Sequence, residues 1–305
     1  MTGAATIPVR THRLTPSEIN DVRALIDDVT HSDRVGPLSE HVLLHLPVGG
    51  DEGVVHLLVR DPAGLLVGYA HLDTTDAVAG ASAELAVRPL ARRSGIASGL
   101  VKALLRDSDG RLRLWAHGEH PGAAALAARM GFSRSRMLWQ MRRSLDEELP
   151  PAVFPPGVTL RTFRVGQDEV AWTALNARAF ADHPDQGGWG VEEVRLRQRE
   201  PWFDPAGFFL AQRAGALVGF HWTKVHGSAG HDHPAVGEVY VVGVDPAEQG
   251  HGLGPALTLV GLAYLRERGL PSAMLYVDES NRAAIAVYER LGFRRYATDV
   301  CYSRD

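Results

Sequence analysis

The sequence predicts an α/β fold that occurs twice along the chain. Strand patterns alternate with helical patterns through most of the 305 residues, which favours mixed sheets covered by helices. The segments Met130-Gly131-Phe132 and Leu291-Gly292-Phe293 recur 161 residues apart, which indicates a duplication. Residues 146–157 contain four prolines. We therefore expect two domains, 1–145 and 158–305, joined by a linker at 146–157. Each would hold a mixed, mostly antiparallel, twisted sheet flanked by helices.

The elements of the first half follow from local patterns. Thr15 and Glu18 are spaced as a capping box with Pro16 at the first helical position, and an apolar stripe from Ile19 to Val29 continues the helix. The later elements are a helix from Ser39, a hairpin (54–61 and 65–73), a strand (81–89), a helix ending at Leu105, a strand (111–118), a helix (123–132) and a strand (135–145). A strand before the first helix is also allowed.

The same order recurs in the second half. It predicts a strand (158–163), helices from Asp168 and Val191, a hairpin (208–226), a strand (237–244), a helix ending at Arg268, a strand (272–280), a helix (281–293) and a terminal strand (294–303). In both halves a glycine-rich loop follows the central strand. This is the edge where open α/β sheets bind ligands.

Composition limits the possible partners. The net charge is −4, and acidic and basic residues are interspersed, so no basic surface for nucleic acid or anionic membranes is predicted. A single cysteine, Cys301, excludes an intramolecular disulfide and suits a reducing compartment. The first residues lack an apolar signal region, and no apolar run reaches 18 residues. We expect a soluble, cytoplasmic monomer that binds small molecules.

Two loops predict phosphate binding. Residues 249–254 read Gln-Gly-His-Gly-Leu-Gly and open a helix, and residues 92–97, Arg-Arg-Ser-Gly-Ile-Ala, are a weaker copy. Unpaired amides and the helix dipole favour an anion at such a helix start. Neither loop has the spacing of the dinucleotide fingerprint or of the P-loop. The pattern therefore predicts two nucleotide-like sites of another kind.

These motifs resemble those of the GCN5-related N-acetyltransferase (GNAT) family. The pyrophosphate loop of that family matches Gln249-x-x-Gly252-x-Gly254 and Arg92-x-x-Gly95-x-Ala97. Its later signature matches Asn281, Tyr288 and Gly292-Phe293. The resemblance implies an acetyl-CoA-dependent N-acetyltransferase with one acetyl-CoA site in each domain. The expected acetyl-CoA contacts are Val242, Gly243, Val244, Gln249, Gly250, His251, Gly252, Leu253, Gly254, Pro255, Asn281, Arg282, Ala283 and Ala284 in the second half, and Leu85, Ala86, Val87, Arg92, Arg93, Ser94, Gly95, Ile96 and Ala97 in the first.

Two side chains are candidates for proton transfer. Acetyl transfer from a thioester needs one group that takes a proton from the amine and another that protonates the departing thiolate. Strand alternation places Glu238 on one face with Tyr240, Val242 and Val244, so it is the predicted general base, directly or through water. Tyr288, two turns into its helix, is the predicted general acid. Structural roles are the alternative, because strand-end glutamates are often solvated and aromatic side chains in apolar helices often lie in the core.

The first half lacks both groups. Aligning the Val-x-Pro ends of the central strands places Ala81 at the position of Glu238. Aligning the Gly-Phe pairs places Ala127 at the position of Tyr288. Glu84, the nearby carboxylate, is then expected on the other pleat face. We therefore expect the first domain to bind acetyl-CoA without transferring the acetyl group.

The segments 179–189 and 219–226 resemble tandem-domain members of the family that acetylate the cysteinyl amine of a cysteinyl-glucosaminyl-inositol. The resemblance implies that Glu40, Lys224 and Tyr276 contact this acceptor, which would lie between the domains. Asp185 is added because its loop is rich in glycine. Structural roles are the alternative to acceptor binding: Lys224 would then be a surface cation, and Glu40 would be a carboxylate in the first turn of a helix.

Other functions stay open at this point. An acetyltransferase acting on peptide or protein N-termini or on amino sugars would also fit the Gln249 loop, as would a non-catalytic module that senses acetyl-CoA. The cluster His231-Asp232-His233 with His221 and His226 lies in a loop without helical histidine spacing, so no metal site is expected.

Overall fold

The computed structural model describes residues 8–50, 53–75, 80–181, 186–226 and 235–304. The chain divides into two compact units, the first formed by Met1–Leu138 with Ala297–Asp305 and the second by Trp139–Tyr296. In both units strands alternate with helices in the order that the sequence predicts.

The first unit is a mostly antiparallel sheet with helices. Its elements are β1 Val9–Thr11, α1 Pro16–Asp33, α2 Glu40–His45, β2 Val54–Arg60, β3 Leu66–Asp73, β4 Ser82–Val87, α3 Ile96–Asp107, β5 Leu112–Ala116, α4 Pro121–Arg129 and the start of β6 Ser133–Ser144. Its strands follow the order β1-β2-β3-β4-β5, with β4 and β5 parallel and the other neighbours antiparallel. The capping box of α1 is confirmed, because the side chains of Thr15 and Glu18 each accept a hydrogen bond from the backbone amide of the other residue.

The second unit repeats this plan. Its elements are the end of β6, β7 Val158–Thr162, α5 Glu169–Ala179, α6 Val191–Gln198, β8 Phe208–Arg213, β9 Ala216–His226, β10 Val236–Val244, α7 Leu253–Glu267, β11 Ser272–Asp278, α8 Arg282–Arg290 and the start of β12 Arg294–Arg304. Strands β7-β8-β9-β10 are antiparallel neighbours, and β10 is parallel to β11. One core packs α7 and α8 against the sheet, and another packs Trp172 and Trp222 on its opposite face.

The unit boundaries differ from those predicted at 145 and 158. Residues Ala297–Asp305 complete the first unit, where β12 pairs antiparallel with β5 and Val300 enters the core. The chain passes to the second unit at Trp139, inside β6, because Met141 and Leu145 lie in the core formed with α7. Residues 146–157 hold neither helix nor strand, as the prolines predict. They belong to the second unit, and Phe154 packs against one of its cores.

Candidate active site

The two glycine-rich loops adopt the same backbone course. Each begins with a short 3-10 turn, Pro246–Glu248 or Pro89–Ala91, and continues through an extended residue, Gln249 or Arg92. Each then closes on a left-handed glycine that caps the next helix, Gly252 with φ 85° or Gly95 with φ 91°. In each unit, the loop therefore presents the unpaired amides of a helix start at the end of that unit's central strand.

The long side chains of the loops fix the loops themselves. Gln249 donates from Nε2 to the carbonyl oxygen of Val244 at 3.3 Å, and Arg92 donates from Nε to that of Val87 at 3.2 Å. The guanidinium group of Arg92 also forms a bidentate ion pair with Asp33. These contacts of Gln249 and Arg92 tie each loop to the end of its strand and leave the backbone amides of the helix start available to a phosphate.

The central strands separate at a defined point in each unit. The described parallel ladder of β10 and β11 contains the pairs Gly237–Ala273 and Glu238–Met274, although both strands continue further. In the first unit the ladder of β4 and β5 ends at the pair Glu84–Trp115. Beyond these pairs the facing strand edges can hydrogen-bond an extended ligand. The glycine-rich loops lie at the far ends of β4 and β10.

A β-bulge corrects the predicted face of Glu238. Val239 pairs with Thr223 but Val241 pairs with Trp222, so Tyr240 is an extra residue in β10. Glu238 consequently faces the aromatic core with Tyr240. Val242 and Val244, which simple alternation placed beside Glu238, pack on the α7 side instead.

Glu238 is buried and has a defined partner. Its Oε2 lies 2.5 Å from Nε2 of His226. Its cross-strand neighbour is Lys224, whose Nζ lies 4.6 Å from the ring centre of Trp202 and 5.3 Å from that of Tyr240. Sequence reasoning missed His226 as a partner of Glu238. The alternation of Lys224 and His226 on β9, counted from the hairpin, was the available signal.

Tyr288 lies on α8, which follows β11. Asn281 caps this helix by accepting a hydrogen bond from the amide of Ala284, and Arg282, Ala283 and Ala284 form its first turn. The ring of Tyr288 packs against Phe293 with 5.9 Å between ring centres and joins the core that contains Val239. Burial raises the pKa of Tyr288 to about 12, so the hydroxyl keeps its proton at neutral pH.

The first unit contains a cavity at the matching place. Its volume is about 470 Å³, and it lies between the end of β4, the Arg92 loop, α3, β5 and α4. Of the contacts predicted for this unit, it is lined by Leu85, Ala86, Val87, Arg92, Arg93, Gly95, Ile96 and Ala97. The Ser94 hydroxyl instead donates to the carbonyl oxygen of Ala91.

The position of Glu238 is occupied by Ser82 in the first unit, not by Ala81 as expected. Val87 pairs with Gly68 of β3, and Val244 pairs with Gly219 of β9. Five residues further along β3 and β9, Asp73 pairs with Ser82 and Lys224 pairs with Glu238. The bulge at Tyr240 accounts for the one-residue difference. Glu84, two residues after Ser82, therefore lies on the same face as the Glu238 position, which corrects the predicted face.

Glu84 belongs to a buried charge network. Its Oε2 accepts a hydrogen bond from the Ser39 amide at 2.5 Å and lies 3.7 Å from Nε2 of His117. On the other side, Nδ1 of His117 lies 2.9 Å from Asp299, which also accepts from the Gly118 amide. Burial alone would lower the pKa of His117, but Asp299 and Glu84 outweigh it and raise this pKa to about 10. The imidazole lines the cavity as a cation.

Comparison with known proteins identifies the family. The chain matches the Acetyltransferase (GNAT) family over residues 27–132 and 172–293. It is 56% identical to a mycothiol acetyltransferase of Acidothermus cellulolyticus, over 98% of this chain and 95% of the relative. The chain belongs to the mycothiol acetyltransferases of the GNAT family. A mycothiol acetyltransferase of Salinispora arenicola is also 56% identical, over 97% of this chain and 96% of the relative. Membership confirms the predicted activity, acetyl-CoA-dependent N-acetyl transfer in mycothiol biosynthesis.

Solved structures share the tandem GNAT fold. A tandem GNAT protein from the clavulanic acid biosynthesis pathway has a TM-score of 0.71 at 22% identity, with 97% of each chain covered. A GCN5-related N-acetyltransferase from Sphaerobacter thermophilus has a TM-score of 0.69 at 24% identity, covering 97% of this chain and 95% of that one. The predicted fold class is therefore confirmed.

The acceptor contacts predicted for this GNAT protein lie in different surroundings. Lys224 is buried against aromatic rings, so the alternative of a surface cation is excluded. Tyr276 is 44% exposed, and its hydroxyl accepts a hydrogen bond from Gln140 at 2.8 Å. Glu40 is the first residue of α2 in the first unit. Asp185 lies outside the described residues.

The histidines of the second unit do not form a metal site within the described part of the chain. His221 is fully buried and its Nδ1 lies 2.7 Å from the carbonyl oxygen of Leu257, while burial lowers its pKa to about 4. No group of three or more His, Cys, Asp or Glu among the described residues could hold a metal ion. His231, Asp232 and His233 lie outside those residues. No described helix is long and apolar enough to cross a membrane.

Proposed function

We propose that the second unit transfers the acetyl group of acetyl-CoA to the cysteinyl amine of cysteinyl-glucosaminyl-inositol, with mycothiol as the product. The observation that carries this acceptor is the 56% identity, over 98% of the chain, to a relative named mycothiol acetyltransferase. The second unit is favoured because Glu238 and Tyr288 are present there, whereas Ser82 and Ala127 stand at the matching positions of the first unit.

Glu238 is the general base of this proposal. It ends the ladder between β10 and β11, where an extended cofactor would begin, and its burial keeps water from competing for the carboxylate. It takes a proton from the acceptor ammonium group, so that the nitrogen lone pair can attack the acetyl carbonyl carbon. Amides of Val242, Gly243 and Val244 would bind the cofactor along the free edge of β10.

Tyr288 is the general acid. It donates its hydroxyl proton to the sulfur of CoA as the carbon–sulfur bond breaks, and the second proton that the attacking nitrogen loses restores the Tyr288 hydroxyl. Its raised pKa keeps that proton in place until a strong base forms beside it, and a thiolate removed from water is such a base. Gln249, Gly250, His251, Gly252, Leu253, Gly254 and Pro255 would hold the diphosphate, and Asn281 with the first turn of α8 would lie along the same cofactor.

The acceptor is polyhydroxylated and needs polar partners, since hydroxyl groups removed from water must be bonded again. We propose Lys224, Tyr276, Glu40 and Asp185 for this role. Lys224 is supported by its position opposite Glu238 on β9, which would put an ammonium group within the acceptor pocket. Tyr276 is supported by its exposed ring on β11.

The first unit is proposed to bind a second acetyl-CoA without turnover. The cavity of about 470 Å³ and the loop that ends at Gly95 support binding. Ser82 cannot act as the carboxylate base, and the proton of His117 is held by two carboxylates, so that imidazole is unsuited to accept another. We further infer that the enzyme works as a cytoplasmic monomer without nucleic-acid or membrane partners, which sedimentation and cell fractionation would test.

Glu238→Gln and Tyr288→Phe in the full chain test the catalytic roles. Each should lower kcat with cysteinyl-glucosaminyl-inositol by about 100-fold or more, because proton transfer contributes that much to such reactions. The affinity for acetyl-CoA, measured by calorimetry, should change little. Glu289→Gln and Tyr296→Phe, both exposed, are the matched controls. Wild-type turnover by either catalytic variant would exclude the role assigned to that residue.

A panel of amines tests the acceptor. Mass spectrometry should detect acetylated cysteinyl-glucosaminyl-inositol at a kcat/KM well above those of peptide N-termini and amino sugars. Preference for a peptide or an amino sugar would select the rival acetyltransferase function. Acetyl-CoA binding without turnover of any amine would select the sensing module.

A further inference from the structure

His226 and Glu238 form a closely coupled pair at the end of their strands. The distance from Nε2 of His226 to Oε2 of Glu238 is 2.5 Å. Lys224 lies directly opposite Glu238 in the ladder, and His226 is two residues further along β9, so all three side chains lie on one face of the sheet. The imidazole is thus fixed beside the carboxylate by strand register.

The two partners differ in their access to water. The side chain of Glu238 is 8% exposed and that of His226 is 37% exposed. A carboxylate that accepts a proton in each turnover must lose it before the next. When the acceptor occupies the cleft, a bonded group that reaches solvent gives the proton a way out.

We propose that His226 carries the proton from Glu238 to solvent during each turnover. The inference rests on the proposed function, in which Glu238 takes a proton from the acceptor ammonium group. At rest, Nε2–H of the neutral imidazole donates to the Glu238 carboxylate. Once Glu238 is protonated, exchange with water moves the imidazole proton from Nε2 to Nδ1, so that Nε2 accepts the carboxyl proton and the ring becomes an imidazolium ion beside a carboxylate. The imidazolium loses its Nδ1 proton to water, which restores the Nε2–H donor. Charge and protons balance, and no further reactant is required.

The other side chains described around Glu238 are not placed to carry its proton to solvent. Lys224 faces the pair from β9, and its ammonium group packs over the rings of Trp202 and Tyr240. From α6, Arg197 donates from Nε to the Tyr240 hydroxyl at 2.6 Å. The neighbour of Glu238 on β11 is Met274, which cannot carry a proton. His226 is therefore a relay and positioning residue that acts through Glu238.

Substitution in the full chain separates relay from simple positioning. His226→Gln keeps a side-chain donor but cannot pass a proton on, and His226→Ala removes the group. Both should lower kcat with cysteinyl-glucosaminyl-inositol by about 100-fold, the low end for proton-transfer catalysis, with the KM for acetyl-CoA unchanged. His31→Gln, at an exposed position in α1, is the matched control and should keep wild-type kinetics.

Added proton carriers provide a readout that a structural role would not move. Turnover by His226→Ala should rise with imidazole concentration, and turnover by both variants should rise with buffer concentration at constant pH. Wild-type turnover should depend on neither. If His226→Ala does not fold, as judged by circular dichroism, His226→Gln and buffer dependence complete the test.

These experiments distinguish failure of the proton relay from failure of the proposed function. If the wild-type enzyme acetylates the acceptor while His226→Gln keeps its kcat and buffer independence, the relay is overturned and the proposed function stands. A lower kcat in both variants that imidazole and buffer leave unchanged also overturns the relay. If the wild-type enzyme does not acetylate the acceptor, the proposed function fails, and the relay fails with it.

Discussion

Buried histidines differ in charge because their partners differ. Burial lowers the pKa of His221 to about 4, since its partner is a carbonyl oxygen, and burial with the nearby His71 lowers that of His56 to about 4. His117 is also enclosed, but Asp299 and Glu84 raise its pKa to about 10. Two of these side chains are therefore neutral in the folded protein at pH 7 and the third is positive.

The neutral state of His56 and His221 predicts that the folded protein loses stability in acid. Unfolded histidine binds a proton near pH 6.5, whereas folded His56 and His221 do so only near pH 4. Their contribution to stability is complete above pH 6.5 and is lost as the pH falls toward 4. Each contributes at most about 3 kcal/mol. Urea unfolding between pH 7 and pH 4.5 should show this loss, and nuclear magnetic resonance should find both rings neutral at pH 5.5. A charged ring at pH 5.5 would contradict the assignment.

The positive charge of His117 predicts the opposite dependence of stability on pH. The folded pKa of His117 lies above 6.5, so its contribution is complete below pH 6.5 and is lost as the pH rises toward 10. Asp299→Asn removes one carboxylate and should lower both the pKa of His117 and the unfolding free energy at pH 7, the latter by about 3 kcal/mol. Asp146→Asn, at an exposed position, is the control. An unchanged His117 titration in Asp299→Asn would exclude this network.

At the scale of elements, local sequence patterns predicted the strands and helices well. They did not predict the β-bulge at Tyr240. Residues 237–244 read as an alternating strand, and β10 forms there. The extra residue at Tyr240 depends on pairing with β9 and on the bond between the Tyr240 hydroxyl and Arg197. Neither partner is near Tyr240 in sequence, so simple alternation misassigned the faces of Val242 and Val244 and the register of Ala81.

The glycine that caps α7 gives a test of the loop. Gly252 has φ 85°, and a methyl group there would meet no atom within 4 Å, so any cost of Gly252→Ala comes from the backbone. We expect a loss of about 1 kcal/mol in unfolding free energy and a several-fold higher KM for acetyl-CoA, because the loop amides reorient. Gly99→Ala, inside α3 with equally open space, should instead stabilise by about 0.5–1 kcal/mol. Equal effects of the two substitutions would contradict the requirement for glycine in the left-handed backbone at position 252.

At the scale of the whole molecule, the sequence predicted two repeated units but assigned their ends incompletely. The repeat was visible because both loops and both Gly-Phe pairs are local motifs. The membership of β12 in the first unit depends on pairing between Val300 and Ala116, far apart in the chain, and no local pattern records that pairing. A fragment of residues 1–145 therefore lacks a strand of its own sheet and is a poor test of the first unit.

Truncation tests this arrangement directly. A chain ending at Tyr296 loses Asp299, the partner of His117, together with Val300 and Tyr302, which are buried in the first core. Each large buried side chain contributes about 2–5 kcal/mol, and whole domains are stable by only about 5–15 kcal/mol, so the first unit should be largely unfolded. Hydrogen exchange should show lost protection in β5 while β9 stays protected. A chain ending at Arg304 is the control, and full protection of β5 after truncation at Tyr296 would mean that the first unit is complete without its last strand.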